Sequence, residues 1–253
     1  MTLRTYFDGS GKEDDPNSKL ITLVGMAAPL VAWDWLESKW AAVLWKHNVC
    51  ASHMSKVMQF EDGFSRERGW TSERREIFLR DLENVLLGFG EQPNVFFVAT
   101  SVDLEAHAHV IKQQPTIAIN GVQQKYPKPS TLCAFYCLNF LCWRSKQNTY
   151  ELFFDRNEAF FDKLYRPWNR RRKDSDERLK RVSRMSVGNI DFDIPLQASD
   201  YFAWHINRFW TKRDRPASDR LSELAAVSSI AFNIHELSDL RRIELALRGT
   251  WDV

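Results

Sequence analysis

Three aspartates stand where apolar segments begin or end, and this placement suggests metal chemistry. Asp8 and Asp155 each close a predicted strand, and Asp200 lies early in a predicted helix. Carboxylate oxygens are ligands that Mg²⁺ and Mn²⁺ prefer, and such ions stabilise the attacking and leaving oxygens of a phosphodiester. The three aspartates therefore predict a divalent-metal site for phosphoryl transfer or phosphodiester cleavage.

The strands that would position Asp8 and Asp155 are recognisable from their residue patterns. Residues 2–8 alternate polar and apolar side chains before the turn residues 9–11, and residues 150–155 form an apolar run that stops on the second aspartate. Side chains at the carboxyl edge of an open α/β sheet face the crevice where ligands bind. Two strands that end at this edge would bring both carboxylates together.

Asp200 belongs to a predicted helix over residues 196–210, which would carry it to the same edge if the helix packs across the sheet. Gln197, three residues earlier, would share its side of the helix and orient a carboxylate or a water. For any one of the 33 acidic residues, the alternative is a turn former or a helix cap. The prediction rests on all three aspartates lying at such elements.

The rest of the chain predicts an α/β domain. With 253 residues and 44% hydrophobic content, we expect a single domain over 1–253, with a core at about 2–212 and a C-terminal helical extension at about 216–250. The further predicted elements are strands over 20–28, 94–102 and around 189–192, helices over 31–48, 71–87, 103–112, 130–146 and 158–168, and two C-terminal helices between 220 and 247, broken near 236–238.

Several function classes are disfavoured by what the sequence lacks. It has no long apolar run and no basic N-terminus before an apolar stretch, so we expect neither a membrane span nor a signal peptide, and a cytoplasmic protein. None of its four cysteines forms a C-x-x-C pair, and Cys133 and Cys137 are expected to be buried free thiols. Phosphate-binding loops, nucleophile elbows and dinucleotide fingerprints are also absent.

Basic residues cluster in one segment, although the formal net charge is only +2. Within residues 166–184, we expect Arg170, Arg171 and Arg172 to bind the phosphate backbone of a nucleic acid, and the alternative is a solvated helix end. Ser10 is a second candidate, because a Gly-Ser-Gly turn can offer donors to a phosphate. Its alternative role is simply to make a tight turn.

Three further histidines, His107, His109 and His205, are weaker candidates. His107 and His109 lie in a predicted helix, where side chains two residues apart diverge and do not form a ligand pair. His205 lies five residues after Asp200 and would point away from it, so a core or surface position is expected.

Three short motifs, in order along the chain, resemble those of a known family. Residues 6–11 (YFDGSG), 153–155 (FFD) and 196–200 (LQASD) are similar to motifs of the large domain-of-unknown-function family 3800. The resemblance spans roughly residues 4 to 210 and implies a ribonuclease H-like fold, a mixed sheet flanked by helices. It also implies that the three aspartates are the metal ligands of a nucleic-acid-cleaving site.

The resemblance implies a role for His53 as well, since Ser52-His53-Met54 is similar to a segment in which the family places a histidine near its site. For His53, packing and function are both open. Gly9 stands where the family usually has glutamate, and Ser52 stands where an acid often precedes the histidine. A ribonuclease H-like site usually gathers four acids, so the site would bind metal weakly or use another carboxylate, such as Glu158 or Asp103.

Two functional hypotheses follow. In the first, the chain is a nuclease or related hydrolase in which Mg²⁺ or Mn²⁺ activates water against DNA or RNA, while His53 moves a proton or steadies the leaving group. In the second, a weakened ribonuclease H-like module binds nucleic acid or protein in a mobile-element or phage-defence setting, which the family resemblance implies. The choice between DNA and RNA, the mode of cutting and the oligomeric state, including a homodimer, stay open.

Overall fold

The computed structural model contains both strands and helices. It describes residues 1–113, 115–119, 122–144, 147–156, 160–161, 165–166, 168–169, 177–212 and 232–235. The strands are β1 Thr2–Ser10, β2 Leu20–Ala28, β3 Phe96–Asp103, β4 Thr116–Ile119, β5 Val122–Lys125, β6 Thr149–Asp155, β7 Val182–Gly188 and β8 Phe232–His235. The helices are α1 Leu30–Lys46, α2 Met54–Gln59, α3 Ser72–Gly90, α4 Leu104–Gln113, α5 Pro129–Arg144, α6 Glu177–Lys180 and α7 Ile194–Lys212.

The main sheet has six strands in the order β7-β6-β1-β2-β3-β8. Strands β1, β2 and β3 form an antiparallel meander, whereas β6 runs parallel to β1, β7 runs parallel to β6 and β8 runs parallel to β3. Strands β4 and β5 form a separate antiparallel pair. The predicted α/β class, with a mixed sheet flanked by helices, is therefore confirmed.

Each face of the main sheet packs against its own helices. Helix α5 covers one face, which we call the α5 face, and its apolar cluster includes Phe7 and Phe154. Helices α1, α3 and α7 belong to the other, the α7 face, whose cluster includes Tyr6 and Phe202. Because side chains alternate along a strand, neighbouring residues of β1 contribute to opposite cores.

Most of the predicted elements are present. The strands predicted over 2–8, 20–28, 94–102 and 150–155 match β1, β2, β3 and β6, and the helices predicted over 31–48, 71–87, 103–112, 130–146 and 196–210 match α1, α3, α4, α5 and α7. Thr71 caps α3 as expected, since its Oγ1 accepts a hydrogen bond from the Arg74 amide at 3.1 Å. Cys133 and Cys137 are buried free thiols.

The strand predicted around 189–192 is wrong. The chain forms β7 at Val182–Gly188 and then a turn, in which the amide groups of Phe192 and Asp193 both donate to the carbonyl of Asn189. Strand β7 lies at the edge of the described sheet and exposes Ser183 and Arg184. Because of these polar residues, its sequence looks like part of the basic segment and does not show the pattern of a strand.

The C-terminal prediction is wrong for residues 232–235. These residues were expected to be helical, but they form β8, which pairs with β3 from Ala99↔Phe232 to Val102↔His235 and supplies its second neighbour. The other residues of the predicted C-terminal helices lie outside the described part of the chain, as does much of the predicted helix 158–168. Among the helices that are described, none combines the length and apolar character needed to cross a membrane.

Candidate active site

Asp8 and Asp155 are brought together by the parallel pairing of β1 with β6. The last paired residues are Phe7 and Phe154, and the two aspartates follow them directly. Neighbouring strands are about 4.8 Å apart, and side chains alternate between faces, so both carboxylates lie on the α7 face. The phenyl rings of Phe7 and Phe154 stack in the α5-face cluster. Both aspartates are buried, with exposed fractions of 5% and 7%.

Asp200 approaches this pair from α7. The preceding residue, Ser199, donates a hydrogen bond to the carbonyl of Tyr6 in β1 at 3.0 Å, which fixes the helix on the sheet near Asp8. Burial raises the pKa of Asp200 to about 6, and the negative charge of Asp155 acts in the same direction. Asp155 and Asp200 are therefore close enough for their charges to interact.

The loop before α2 supplies the partners of Asp200. Its Oδ2 accepts a hydrogen bond from the Met54 amide at 2.6 Å and lies 3.5 Å from Nδ1 of His53. Both groups act against the rise in the Asp200 pKa. Nδ1 of His53 also lies 3.1 Å from the Ser55 hydroxyl, and the His53 side chain is 37% exposed. His53 is therefore at the site and within reach of solvent.

Gln197 connects the two sides of the site from a buried position. Its Oε1 accepts hydrogen bonds from the amide and hydroxyl of Ser52, at 3.0 and 3.2 Å, and its Nε2 donates to the carbonyl of Ile190 at 3.0 Å. The Ile190 amide in turn donates to Oδ1 of Asp155 at 3.3 Å. Because Gln197 is only 1% exposed and both ends of its amide are hydrogen-bonded within the protein, it is placed to position its neighbours, and its role at the site stays a prediction.

Asp193 is a carboxylate near the site that the sequence prediction missed. Its Oδ2 accepts a hydrogen bond from the Asn189 amide at 2.5 Å, and a Cβ on Gly188 would meet the same oxygen at 2.6 Å. Gly188 is the cross-strand partner of Asp155. Burial raises the pKa of Glu37, and the charges of Asp34 and Asp193 add to this effect. Asp193 was missed because the turn that carries it was predicted to be a strand.

Other predicted residues have different positions. Ser10 belongs to β1 and pairs with Thr22, so it is not in a turn, although it follows Asp8 by two residues on the same face. Asp103 caps α4, with its Oδ1 accepting from the Ala106 amide at 2.8 Å. The remaining candidates, Arg170, Arg171, Arg172 and Glu158, lie outside the described residues.

The other histidines take separate positions. Nε2 of His107 contacts the carbonyl of Pro127 at 2.9 Å, while Nε2 of His109 contacts the amide of Gln113. The two side chains therefore diverge, as predicted. His205 is buried among aromatic rings, including that of Tyr201, which agrees with a core position.

Whether the three aspartates can hold a metal ion depends on how their carboxylates are arranged. Within the described ranges, no three His, Cys, Asp or Glu side chains form a group that could hold a metal ion. Asp200 directs one oxygen to the Met54 amide, and Asp155 directs one to the Ile190 amide. The donor type still fits a hard divalent cation. Burial is the main cause of the raised pKa of Asp200, with the charge of Asp155 adding to it, and a bound cation would favour the charged carboxylate. The carboxylates are thus of the right chemical type for a divalent cation, but among the described residues they are not arranged as a ready-made metal site.

Comparison with known proteins found no relative. No protein-family model, curated protein or solved structure matches this chain. The resemblance to the domain-of-unknown-function family 3800 therefore stays a prediction, and function is inferred from the site itself.

Proposed function

We propose that this chain is a metal-dependent nuclease with a ribonuclease H-like fold. An antiparallel meander, followed by two strands parallel to its first strand and flanked by helices, is compatible with that fold. The fold assignment is separate from the proposal of nuclease activity. That proposal rests on the carboxylates near the carboxyl ends of β1 and β6.

The observation that carries the proposal is the adjacency of Asp8 and Asp155, which directly follow the last residues paired between the parallel strands β1 and β6. Two neighbouring buried carboxylates repel each other and lose hydration, so they persist where a cation or a proton compensates them. Asp200 adds a third carboxylate, whose charge interacts with that of Asp155. This concentration of negative charge is suited to a divalent cation.

A bound Mg²⁺ or Mn²⁺ would supply Lewis acidity and lower the pKa of a water that attacks the phosphodiester. Asp8, Asp155 and Asp200 would hold the ion, and Gln197 keeps Asp155 in place through Ile190. His53 has Nδ1 directed at Asp200 and Ser55, so its Nε2 is the atom that exchanges a proton with the leaving oxygen.

Cleavage assays with labelled DNA and RNA, each as single strands and duplexes, test the nuclease. We expect cleavage with Mn²⁺ or Mg²⁺ and none in EDTA. Asp8→Asn and Asp155→Asn should each lower the rate by at least roughly 100-fold, because each removes a charged ligand. Asp14→Asn is the matched control, since Asp14 is exposed in the loop after β1, and it should cleave normally.

Failure of the wild-type protein to cleave any of these substrates would contradict the proposal. So would unchanged cleavage by Asp8→Asn. Folding of each variant is checked by thermal unfolding, so that a lost rate can be assigned to the site.

A weakened binding module is the second candidate, and two observations favour it. The described carboxylates do not form a preassembled three-residue metal group, and position 52, where an acid was expected, is a buried serine held by Gln197. Calorimetry with Mg²⁺ and Mn²⁺ separates the two candidates. Binding at millimolar metal or below favours the nuclease, whereas nucleic-acid binding without metal binding favours the module.

A further inference from the structure

Phe192 is an exposed aromatic residue held in a well-defined turn. Its side chain is 82% exposed in the turn between β7 and α7. The Phe192 amide donates to the carbonyl of Asn189 at 2.9 Å, and the Asp191 amide donates to Oδ1 of Asn189 at 3.2 Å. Asp193 closes the turn by accepting from the Asn189 amide. The chain therefore presents this ring to solvent from a hydrogen-bonded turn.

The turn that carries Phe192 also contacts the candidate active site. Ile190, two residues earlier, donates its amide to Asp155 and accepts at its carbonyl from Gln197. An exposed phenyl ring thus stands within two residues of a group that binds a proposed metal ligand. The turn therefore presents an exposed ring next to the chain segment that holds Asp155.

Strand β7 leads to the same place with polar side chains. Arg184, Ser186 and Gly188 face the α7 side in cross-strand pairs with Glu151, Phe153 and Asp155. Arg184 is exposed, its Nε donates to the Ser186 hydroxyl at 2.8 Å, and its guanidinium lies 5.7 Å from the centre of the Phe153 ring. Arg184, an exposed cation, therefore lies about 13 Å along β7 from Gly188, which is paired with Asp155.

We propose that Phe192 and Arg184 bind a single strand of nucleic acid, with an unpaired base stacked on Phe192 and a phosphate at Arg184. This inference rests on the proposed nuclease function and specifies its substrate class. Aromatic rings stack on any base, but a base inside a duplex is already stacked on its neighbours, so the platform selects unpaired segments. The cation complements the negatively charged backbone.

Binding in EDTA tests the platform independently of cleavage. Fluorescence anisotropy with labelled single-stranded DNA, single-stranded RNA and the matching duplexes gives the affinities. We expect Phe192→Ala to weaken single-strand binding by roughly 5- to 150-fold, and Phe192→Trp to preserve it, because stacking depends on an aromatic face. Arg184→Ala should weaken binding and reduce its salt dependence.

Trp45→Ala is the matched control. Trp45 is 86% exposed on α1, so the substitution also removes an exposed aromatic side chain, and binding should not change. Wild-type affinity in Phe192→Ala, or tighter binding of duplex than of single strands, overturns the proposal. A change in sedimentation of Phe192→Ala without a change in binding also overturns it, since the ring would then serve self-association.

The two proposals fail in different ways. A protein that binds single strands through Phe192 but never cleaves them retains the platform and refutes the nuclease. A protein that cleaves with Mn²⁺ while Phe192→Ala binds normally retains the nuclease and refutes the platform.

Discussion

The two faces of the main sheet both bury apolar cores, but their polar groups differ in kind. On the α5 face, the thiols of Cys133 and Cys137 donate to backbone carbonyls of β2, and burial raises the pKa of Cys137 to about 12. On the α7 face, Asp155, Gln197 and Asp200 contact chain segments far from them in sequence. Both faces therefore use polar groups to join distant parts of the chain, but the α5 face uses buried thiols one at a time along β2, whereas the α7 face gathers carboxylates and an amide at one candidate site.

The largest expected effect is on the free energy of unfolding, and it distinguishes Phe7 from Asp8, which are adjacent in β1. Phe7 is 2% exposed on the α5 face, and Phe7→Ala should lower the free energy of unfolding by about 3–5 kcal/mol, because it leaves a cavity against Phe154. Asp8→Asn, which alters the α7 face, should change it by less than about 1 kcal/mol while removing cleavage. Urea unfolding and cleavage assays measure both quantities. An equal loss of stability in both variants would make Asp8 a structural residue.

The next effect concerns the connection through Gln197. Gln197→Ala leaves the Ser52 amide and the Ile190 carbonyl without this partner, so we expect it to cost about 2–3 kcal/mol of stability. It should also weaken Mn²⁺ binding by roughly 10- to 100-fold, as loss of a positioning group does in metal sites. Gln59→Ala, at an exposed position in α2, is the control. Unchanged metal affinity in Gln197→Ala would assign Gln197 to folding alone.

The smallest effect is a gain in stability that depends on pH. Because the pKa of Asp200 is raised to about 6, the folded protein binds more protons than the unfolded chain between about pH 4 and pH 6, so stability falls as pH rises through this window. Asp200→Asn removes this penalty and should be more stable than the wild type by roughly 1–3 kcal/mol above pH 7 without metal, and similar to it near pH 4. Thermal unfolding across pH checks this expectation.

Added Mn²⁺ provides the control for that prediction. Under the proposed function, Mn²⁺ should stabilise the wild type, which keeps the Asp200 carboxylate, more than Asp200→Asn. A difference in stability that is the same at pH 4 and pH 8 would contradict the assignment of the penalty to the Asp200 charge.

That Asp8 and Asp155 lie late in β1 and β6 could be predicted from sequence, because the apolar residues of each pattern stop at the aspartate, although β1 continues to Ser10 in its pairing with β2. Their adjacency could not, since it depends on the register that pairs Phe7 with Phe154, and this register is set by distant parts of the chain. The same limit applies to Asp200, whose partner, the Met54 amide, lies far away in sequence.

Short and exposed elements were the ones that sequence patterns missed. Strand β8 has four residues and gains its order from pairing with β3, which leaves no periodic signal to recognise. Strand β7 exposes polar residues at the end of the described sheet, so its alternation is weak, and the turn with Asp193 and Phe192 was assigned to a strand instead.

The parallel pairing of β1 with β6 also determines when the site can exist during synthesis. The ribosome produces Asp8 early, with the β1–β2 hairpin, but its carboxylate acquires Asp155 only after α5 has emerged, and Asp200 only after β7. Such a long-range contact forms late, because loop closure precedes any stabilising contact. A nascent chain therefore cannot bring the three aspartates together until the strands up to β7 and helix α7 have been made.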